Sequence, residues 1–497
     1  MDRETNLRRV RLRTEPWDII VIGGGATGIG CAVDASSRGL EVLLLEQHDF
    51  GKGTSSRSTK LVHGGVRYLA QGDISLVRGS LKERGLLLKN APHLVHRQEF
   101  VIPCYSRWQQ LFYGAGLTSY DLLAGKYSLG RSSLISREET ITRIPNVKTD
   151  GLLGGVSYFD GRFDDARLLI DLAMQADECG GALLNYAKVV AFDGTKGTPR
   201  VVRFEDALTG EIIACTSKIV INASGAFCDS VRRLADKTSI DIVTLSQGIH
   251  IVLDRSFLLG NAALMLPKTS DGRVLFAIPW YGHVIAGTTD TPVAEAELEP
   301  MALESEIGFI LETAATCLAR APQRSDVRSV FAGIRPLVKS SATRNTSKLS
   351  RGHTIEYNGA GLLTITGGKW TTYRRMAEDV VDQAVQIGGL HAKGSVTSDL
   401  SIDGPSDSED VPKRDRLHPR FPYTKADVVR AVRTEMAQTV EDVLARRTRC
   451  LFLDAQAAIE IAPDVGEIIG RELGKDGEWV GREIEEFGKT ARGYLLS

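Results

Sequence analysis

WDIIVIGGGATGIGCAVDASSRGLEVLLLE, residues 17 to 46, is the stretch whose reading decides the fold. Asp18 to Ile22 is a short apolar run of strand type, and Gly23, Gly25 and Gly28 follow it in G-x-G-x-x-G spacing. A small-residue helix is expected from Ala26 to about Arg38, Gly39 ends it, and a second apolar run from Val42 to Leu45 finishes on Glu46. Gly23 allows the tight turn, Gly25 lets backbone approach a pyrophosphate, and Gly28 lets the helix sit close on the strand. Free amides and the dipole at the helix start, around Ala26 and Thr27, favour phosphate charge. Glu46 is placed to accept hydrogen bonds from an adenosine ribose. A lone glycine triplet says little; strand, helix, second strand and terminal acid together predict a dinucleotide site.

The whole chain suits such a fold. Its 497 residues suffice for two or three domains with substantial cores. Lys and Arg (61) balance Asp and Glu (62), so no global field points to nucleic acid. The seven cysteines are scattered and never in C-x-x-C spacing, which argues against zinc or iron–sulfur sites, predicts no metal, and suggests free thiols in a reducing compartment. The charged start, MDRETNLRRVRLRTEP, has no apolar core of a secretory signal, and no apolar run reaches the roughly 18 residues of a spanning helix. The expectation is a soluble or peripherally attached protein.

Beyond Glu46 the chain keeps returning to glycine-rich turns. Gly51 to Ser58 is rich in hydroxyls and amides that can meet phosphates or the edge of a ring system, with Thr54, Ser55 and Ser56 the donors of interest. Lys60, Leu61, His63, Arg67 and Tyr68 crowd around Gly64-Gly65, where backbone can pass close to a flat ligand. Ile219 to Asn222 reads as a strand running into Ala223-Ser224-Gly225 and a helix, and Gly367-Gly368-Lys369 occupies another strand-to-helix junction, followed by Trp370 and Thr371. Between these, residues 242 to 290 show β alternation, with His250 on the face opposite Ile249 and Ile251 and Thr289 in a closing polar turn. A histidine on a strand is as readily a structural hydrogen-bonder as a catalytic group. Arg335 stands within the apolar run SVFAGIRPLV, where a charge is paired or ligand-bound because burying it alone is costly.

Two other segments matter. Trp108 to Gly125 carries one charge, and Trp108, Leu111, Phe112 and Ala115 share helical spacing, so the helix either lies in a membrane interface or packs on its own domain. Residues 398 to 422 read as a linker. After it, Thr424 to Asp427 forms a capping box, and one long helix is expected with Val428, Val432, Met436, Val440 and Leu444 on one face. Two further helices follow, the first broken at Pro463, and Arg446, Arg447 and Arg449 are expected to be surface or ion-pair groups.

Glycine turns at four places suit an extended flavin better than a diffusing nicotinamide, and only a cofactor supplies redox chemistry here. The cations Arg67, Arg335 and Lys369 suit a small dianion such as a phosphate ester. The fold class expected is α/β (α+β overall). A Rossmann-like FAD-binding domain (16–92, 151–240 and 331–400) is interleaved with an antiparallel-sheet substrate or cap domain (93–150 and 241–330), and a C-terminal helical domain follows (401–497).

GGGATGIG, GTSSRSTKLVHGGVRYL, SQGIHIVL, AGIRPL, GGKWTTYR and AVRTEMAQTVEDVLARRTR make the chain similar to the FAD-dependent, aerobic-type glycerol-3-phosphate dehydrogenases, within the flavoprotein superfamily of glutathione reductase and D-amino-acid oxidase. The resemblance runs from Trp17 through the helical tail. It implies oxidation of sn-glycerol 3-phosphate at C2 by hydride transfer to flavin N5, with electrons passed to membrane quinone. It implies that Arg335 and Lys369 hold the phosphate, that Arg67 and Tyr68 line the pocket, and that Thr289 is a polar contact. His250 is its candidate base and His63, close to the flavin, the rival. FAD would be held by Gly23, Gly25, Ala26, Thr27, Gly28, Glu46, Thr54, Ser55, Ser56, Lys60, Leu61, His63, Gly64 and Gly65, and by Val189, Ala223, Gly225, Gly368, Lys369, Trp370 and Thr371. No appended calcium-binding helix–loop–helix is seen, which suggests a bacterial-type member in the cytoplasm, at the inner face of the cell membrane. A quinone acceptor tips the Trp108 helix, or the Arg8 to Arg13 cluster, towards peripheral membrane contact; a homodimer is left open. The alternatives are an oxidase of the same family that makes peroxide, an amino-acid or amine oxidase on a similar fold, and a non-catalytic flavin sensor.

Overall fold

The strand Trp17–Ile22 sits in the middle of a parallel array, and its alternation explains why. Ile19 and Val21 face one apolar cluster while Ile20 and Ile22 face another, so both faces of the strand are buried. The structure is a computed structural model that describes residues 1–69, 72–193, 200–269, 272–339, 352–404 and 416–496, without the side chain of Arg67. The array runs Leu362–Gly367, Glu211–Asn222, Trp17–Ile22, Val42–Leu45, Ala182–Leu184, all neighbours parallel, with His353–Tyr357 antiparallel at one edge. Helix Ala26–Ser37 covers one face together with Asp165–Glu178 and Tyr373–Gly388. It lies close because it is made of small residues: a Cβ on Gly28 would fall 1.8 Å from the Gly23 carbonyl oxygen.

The second sheet is mostly antiparallel. Val243–Asp254 pairs along its length with Val327–Val338 and on its other side with His283–Gly287, and the sheet continues through Leu275–Trp280, Ala263–Leu266, Val95–Cys104 and Gly154–Phe163 to Leu61–Val62. Strand pairing therefore divides the chain differently from the expected boundaries at 151 and 331. Residues 154–163 and 331–338 hydrogen-bond into the second sheet, because their antiparallel partners Val95–Cys104 and Val243–Asp254 lie there.

The C-terminal part departs from the expected single long helix. Lys425–Thr434 starts on the expected box, Thr424 with Asp427, but the chain turns at Met436 (φ 56°). It resumes as a π-helical turn, Asp442–Arg447. The periodic apolar residues all pack, yet three arginines in and after that turn reach back to acidic groups beneath the first sheet, which a straight helix would prevent. Arg446, Arg447 and Arg449 are fully buried ion-pair residues, not surface groups. Helix Ala455–Leu473 runs through Pro463 unbroken; Ala458, Ile461, Ala462 and Val465 bury around it, and that packing outweighs the roughly 3 kcal/mol an interior proline costs. The same cluster contains Val252, Trp280, Ile285 and Phe331 of the second sheet, so these helices share its core. Of the expected linker, residues 405–415 lie outside the described residues, and Ile402 is buried with its N–H on the Asn90 carbonyl.

Helix Arg107–Ala124 packs on its own domain along one side and leaves apolar residues exposed on another. Leu117, Tyr120 and Ala124 bury against the fold, while Trp108 and Leu122 stay 71% and 78% exposed, alongside Leu111 and Phe112. No helix among the described residues is long and apolar enough to cross a membrane.

Candidate active site

A cavity of about 430 Å³ extends between the two sheets. One end is backbone. Gly23 takes φ +110°, and a Cβ there would meet the Ala223 carbonyl oxygen at 2.8 Å. Gly25 caps helix Ala26–Ser37 without any side-chain hydrogen bond, leaving the helix start facing the cavity, while Ser55 Oγ accepts the Ala26 N–H at 2.9 Å. Glu46 closes this end. Its carboxylate accepts the N–H groups of Gly24 (2.5 Å) and His48 (2.9 Å), and burial raises its pKa against those two bonds. Thr27, Thr54, Val189, Ala223 and Gly225 also line it.

Segments far apart in the chain are tied together along the cavity. Thr54 Oγ1 donates to the Ile334 carbonyl (2.5 Å), and Trp370 Nε1 to the Ser55 carbonyl (2.8 Å). Thr371 Oγ1 accepts the His63 N–H at 3.1 Å. The Gly64 N–H donates to Tyr120 Oη (2.7 Å), which donates in turn to Asp160 (2.9 Å), itself paired with Arg84. Gly64 must be glycine, since a Cβ would lie 2.5 Å from that phenol oxygen.

The other end is made of side chains. Arg335 donates to the Thr289 carbonyl (3.0 Å) and Thr288 Oγ1 (2.8 Å), and lies 3.9 Å from Asp290. Its guanidinium rests flat against Gly248, where a Cβ would come within 2.0 Å of Nη2. Lys369 follows the left-handed pair Gly367-Gly368; its ammonium donates to Ser80 Oγ (2.8 Å) and stands 5.0 Å from the centre of the Tyr68 ring. His250 is 1% exposed, stacks on Phe331 at 4.9 Å, and shares a 2.9 Å hydrogen bond between Nε2 and Thr59 Oγ1. Its Nδ1 has no protein partner. Burial, then the charges of Arg335 and Lys60, hold its pKa well below the ordinary 6.5, so the ring is neutral.

Most of the expected residues meet in this one cavity: Gly23, Gly25, Ala26, Thr27, Glu46, Thr54, Ser55, Leu61, His63, Gly65, Tyr68, Val189, Ala223, Gly225, His250, Thr289, Arg335, Gly368, Lys369, Trp370 and Thr371. Four do not line it. Gly28 is packed against Gly23, Gly64 against Tyr120, and Ser56 is buried. Lys60 is a correction: its ammonium is buried behind the loop on both oxygens of Asp165 (2.8 and 2.7 Å) and the Ser56 carbonyl (2.7 Å). Burial and the neighbouring Arg449 push its pKa down to about 7. Thr289 is a second correction, because its hydroxyl is spent internally. It donates to Glu306 (2.8 Å) and accepts the Ile249 N–H (3.0 Å), leaving its carbonyl to hold Arg335. The Arg67 side chain lies outside the described residues.

Sequence reasoning passed over Arg57, Thr59, Gly248, Thr288 and Asp290, all of which line the cavity. Arg57 stands inside the hydroxyl-rich loop, Thr59 directly after it and Gly248 two residues from His250, so proximity in sequence was the available signal; Glu306, which fixes the Arg335 turn from behind, had none.

The lining fits a flavin dinucleotide: a glycine cradle that a Cβ would fill at one end, two cations and a buried imidazole at the other, and one cavity lined by both. A family model described as FAD dependent oxidoreductase matches residues 18–374, and one described as the C-terminal domain of alpha-glycerophosphate oxidase matches residues 362–479. A mitochondrial glycerol-3-phosphate dehydrogenase of Mus musculus is 40% identical over 550 aligned residues, covering 99% of this chain and 75% of that one. The X-ray structure of the glycerol-3-phosphate dehydrogenase from Bacillus halodurans, complexed with FAD, is 26% identical, with a TM-score of 0.79 over 99% of this chain and 97% of that one. Glycine oxidase from Geobacillus kaustophilus, 16% identical with a TM-score of 0.57 over 80% of this chain and 100% of that one, shares the fold alone.

Proposed function

The chain belongs to the FAD-dependent glycerol-3-phosphate dehydrogenases, and from that membership we infer that it oxidises sn-glycerol 3-phosphate at C2 to dihydroxyacetone phosphate. The observation that carries this reading is the far end of the cavity, where the cations Arg335 and Lys369 share a lining with the neutral imidazole of His250. FAD, when bound, supplies the acceptor for the C2 hydride. Arg335 and Lys369 then hold the phosphate dianion, the first as a planar fork fixed by the Thr288–Thr289 turn, the second as a point charge over Tyr68. Their combined hold fixes C2 and orients its hydroxyl. His250 takes the hydroxyl proton, its depressed pKa keeping it unprotonated at neutral pH. His63 is the rival base and Arg67 a further pocket residue. The first sheet and its glycine turns hold the cofactor; the second sheet carries His250 and Arg335, and Lys369 reaches the substrate from the turn after Leu362–Gly367 of the first.

Electrons leave to a membrane quinone in this proposal, and the protein works peripherally at the inner face of the cell membrane. The support is helix Arg107–Ala124, whose exposed Trp108, Leu111 and Phe112 form an apolar end next to a buried inner face. Flotation with anionic liposomes at low salt tests this; protein left at the bottom of the gradient overturns it.

The decisive test of the reaction is anaerobic addition of glycerol 3-phosphate to the purified yellow protein. Bleaching by this substrate, and by neither glycerol nor amino acids, is expected. Bleaching by an amino acid instead would overturn the reading. Turnover with a quinone analogue and without peroxide supports a dehydrogenase, and peroxide formation an oxidase.

A further inference from the structure

We propose that the C-terminal helical segment acts as a clamp on the cofactor-facing loop from Asp49 to Lys60, with Arg446, Arg447 and Arg449 as positioning residues for FAD. The loop needs such a hold. Gly51, Gly53, Thr54, Ser55 and Thr59 line the cavity, yet between the strands Val42–Leu45 and Leu61–Val62 the loop has only one short 3₁₀ turn, Thr54–Ser56. It turns through left-handed backbone at Gly51 (φ 77°) and Lys60 (φ 61°). A segment with so few ladder bonds gains little order from itself.

The hold comes from behind, and it is electrostatic. Asp49 accepts Arg447 Nη1 and Nη2 (2.6 and 2.8 Å) and Arg446 Nε (2.5 Å), which pins the start of the loop. Lys52 donates to Glu441 at 2.7 Å. Arg449 Nη2 donates to the Ser56 carbonyl (2.9 Å) and to Asp165 (3.1 Å), and Lys60 Nζ donates to the same carbonyl (2.7 Å). With both lone pairs of that carbonyl taken, the peptide after Ser56 is fixed in direction. The neighbouring Ser55 is thereby aimed at the helix start, where its hydroxyl accepts the Ala26 N–H.

Glu441, Arg446, Arg447 and Arg449 do not line the cavity, so any effect on FAD passes through the loop. Charges this deeply buried are weak devices for stability, since apolar residues of similar volume commonly do as well. What they add is geometry: each ion pair names one loop atom and one place for it. Preorganising the loop removes its ordering cost from FAD binding.

The inference rests on the FAD assignment and not on the substrate. Full-length Arg449→Met protein is stripped of FAD and titrated back, with thermal unfolding followed for apoprotein and holoprotein. The expected result is a Kd for FAD raised about tenfold, equivalent to about 1.4 kcal/mol, and a smaller gain in Tm on adding FAD. Once saturated with FAD, the variant keeps its KM for glycerol 3-phosphate within about twofold, so a failure of the substrate reading stays separate. An unchanged Kd, with apoprotein and holoprotein losing Tm equally, overturns the clamp and leaves Arg449 a packing residue. Glu441→Gln, isosteric and less buried, covers the case in which Arg449→Met fails to fold: a severalfold rise in Kd is expected, and no rise overturns the proposal.

Discussion

The two ends of the cavity are built from different materials. Around Gly23, Gly25 and Glu46 the lining is mostly backbone and one carboxylate from the run 17–46, held by short-range hydrogen bonds and closed by Ser55 and Ala223. Around His250, Arg335 and Lys369 it is side chains from two paired strands and the turn after a third, each fixed by a different remote partner: Thr59, the Thr288–Thr289 turn, and Ser80. At Gly23 and Gly28 the first end has no room for an added atom. The second tolerates changes of side chain but depends on distant supports. Mutations should therefore separate the two, cofactor loss at one end and substrate loss at the other.

The largest effect belongs to the backbone end. Gly28→Val adds a Cβ that would sit 1.8 Å from the Gly23 carbonyl oxygen, with no flexible atom to give way. The protein is expected to purify colourless or not to fold; a normal flavin-to-protein absorbance ratio would break the comparison. Next is Arg335→Met, which removes both arms of the fork. A loss in kcat/KM of about a thousandfold, roughly 4 kcal/mol, is expected with FAD content unchanged. If flavin is lost as well, the two ends are not separable. Lys369→Ala, removing a point charge, should raise KM by about tenfold to a hundredfold, and an unchanged saturation curve would remove the lysine from phosphate binding. Gly248→Ala is a finer probe. Its methyl group would push the Arg335 guanidinium off the strand, raising KM by about tenfold while kcat falls less.

The smallest expected signal is in pH. His250 has its pKa lowered by burial and by the neighbouring cations, so it loses its function as base only as pH falls well below 6.5. The kcat profile, which reports the bound complex and so bypasses titration of free substrate phosphate, should be flat through pH 6.5 and fall on the acid side of it. An inflection at or above 6.5 would take the base role from His250.

Legibility followed the same division. The dinucleotide stretch could be read residue by residue because the constraint at each glycine is local: a φ angle, a close carbonyl, a helix start. His250, Arg335 and Lys369 were legible as candidates because charge or imidazole stands out in apolar strands. Their supports were not, since Glu306 and Gly248 become meaningful only once Val243–Asp254 is paired with Val327–Val338 and helix Glu304–Cys317 lies on it. Lys60 shows the converse. Its position beside Gly64-Gly65 pointed to the cofactor, and only the chain's turn through left-handed backbone sends the ammonium back to Asp165.

The C-terminal segment makes the case most sharply. Periodicity predicted one long helix and left the arginines as surface or ion-pair groups; the helix turns instead, and the arginines are ion-paired in the interior, for one reason. Apolar spacing reports which residues bury, not which acidic partners wait across the interface, and Asp49 lies 397 positions from Arg446 in the chain. By itself the sequence determined the α/β class, the dinucleotide turn and the family, and it picked out Arg335 and Lys369 as candidates, because those rest on short-range geometry and on residue chemistry. Tertiary structure alone decided which cations face the cavity and which are locked behind it, because a charge takes its role from whatever surrounds it once water is gone.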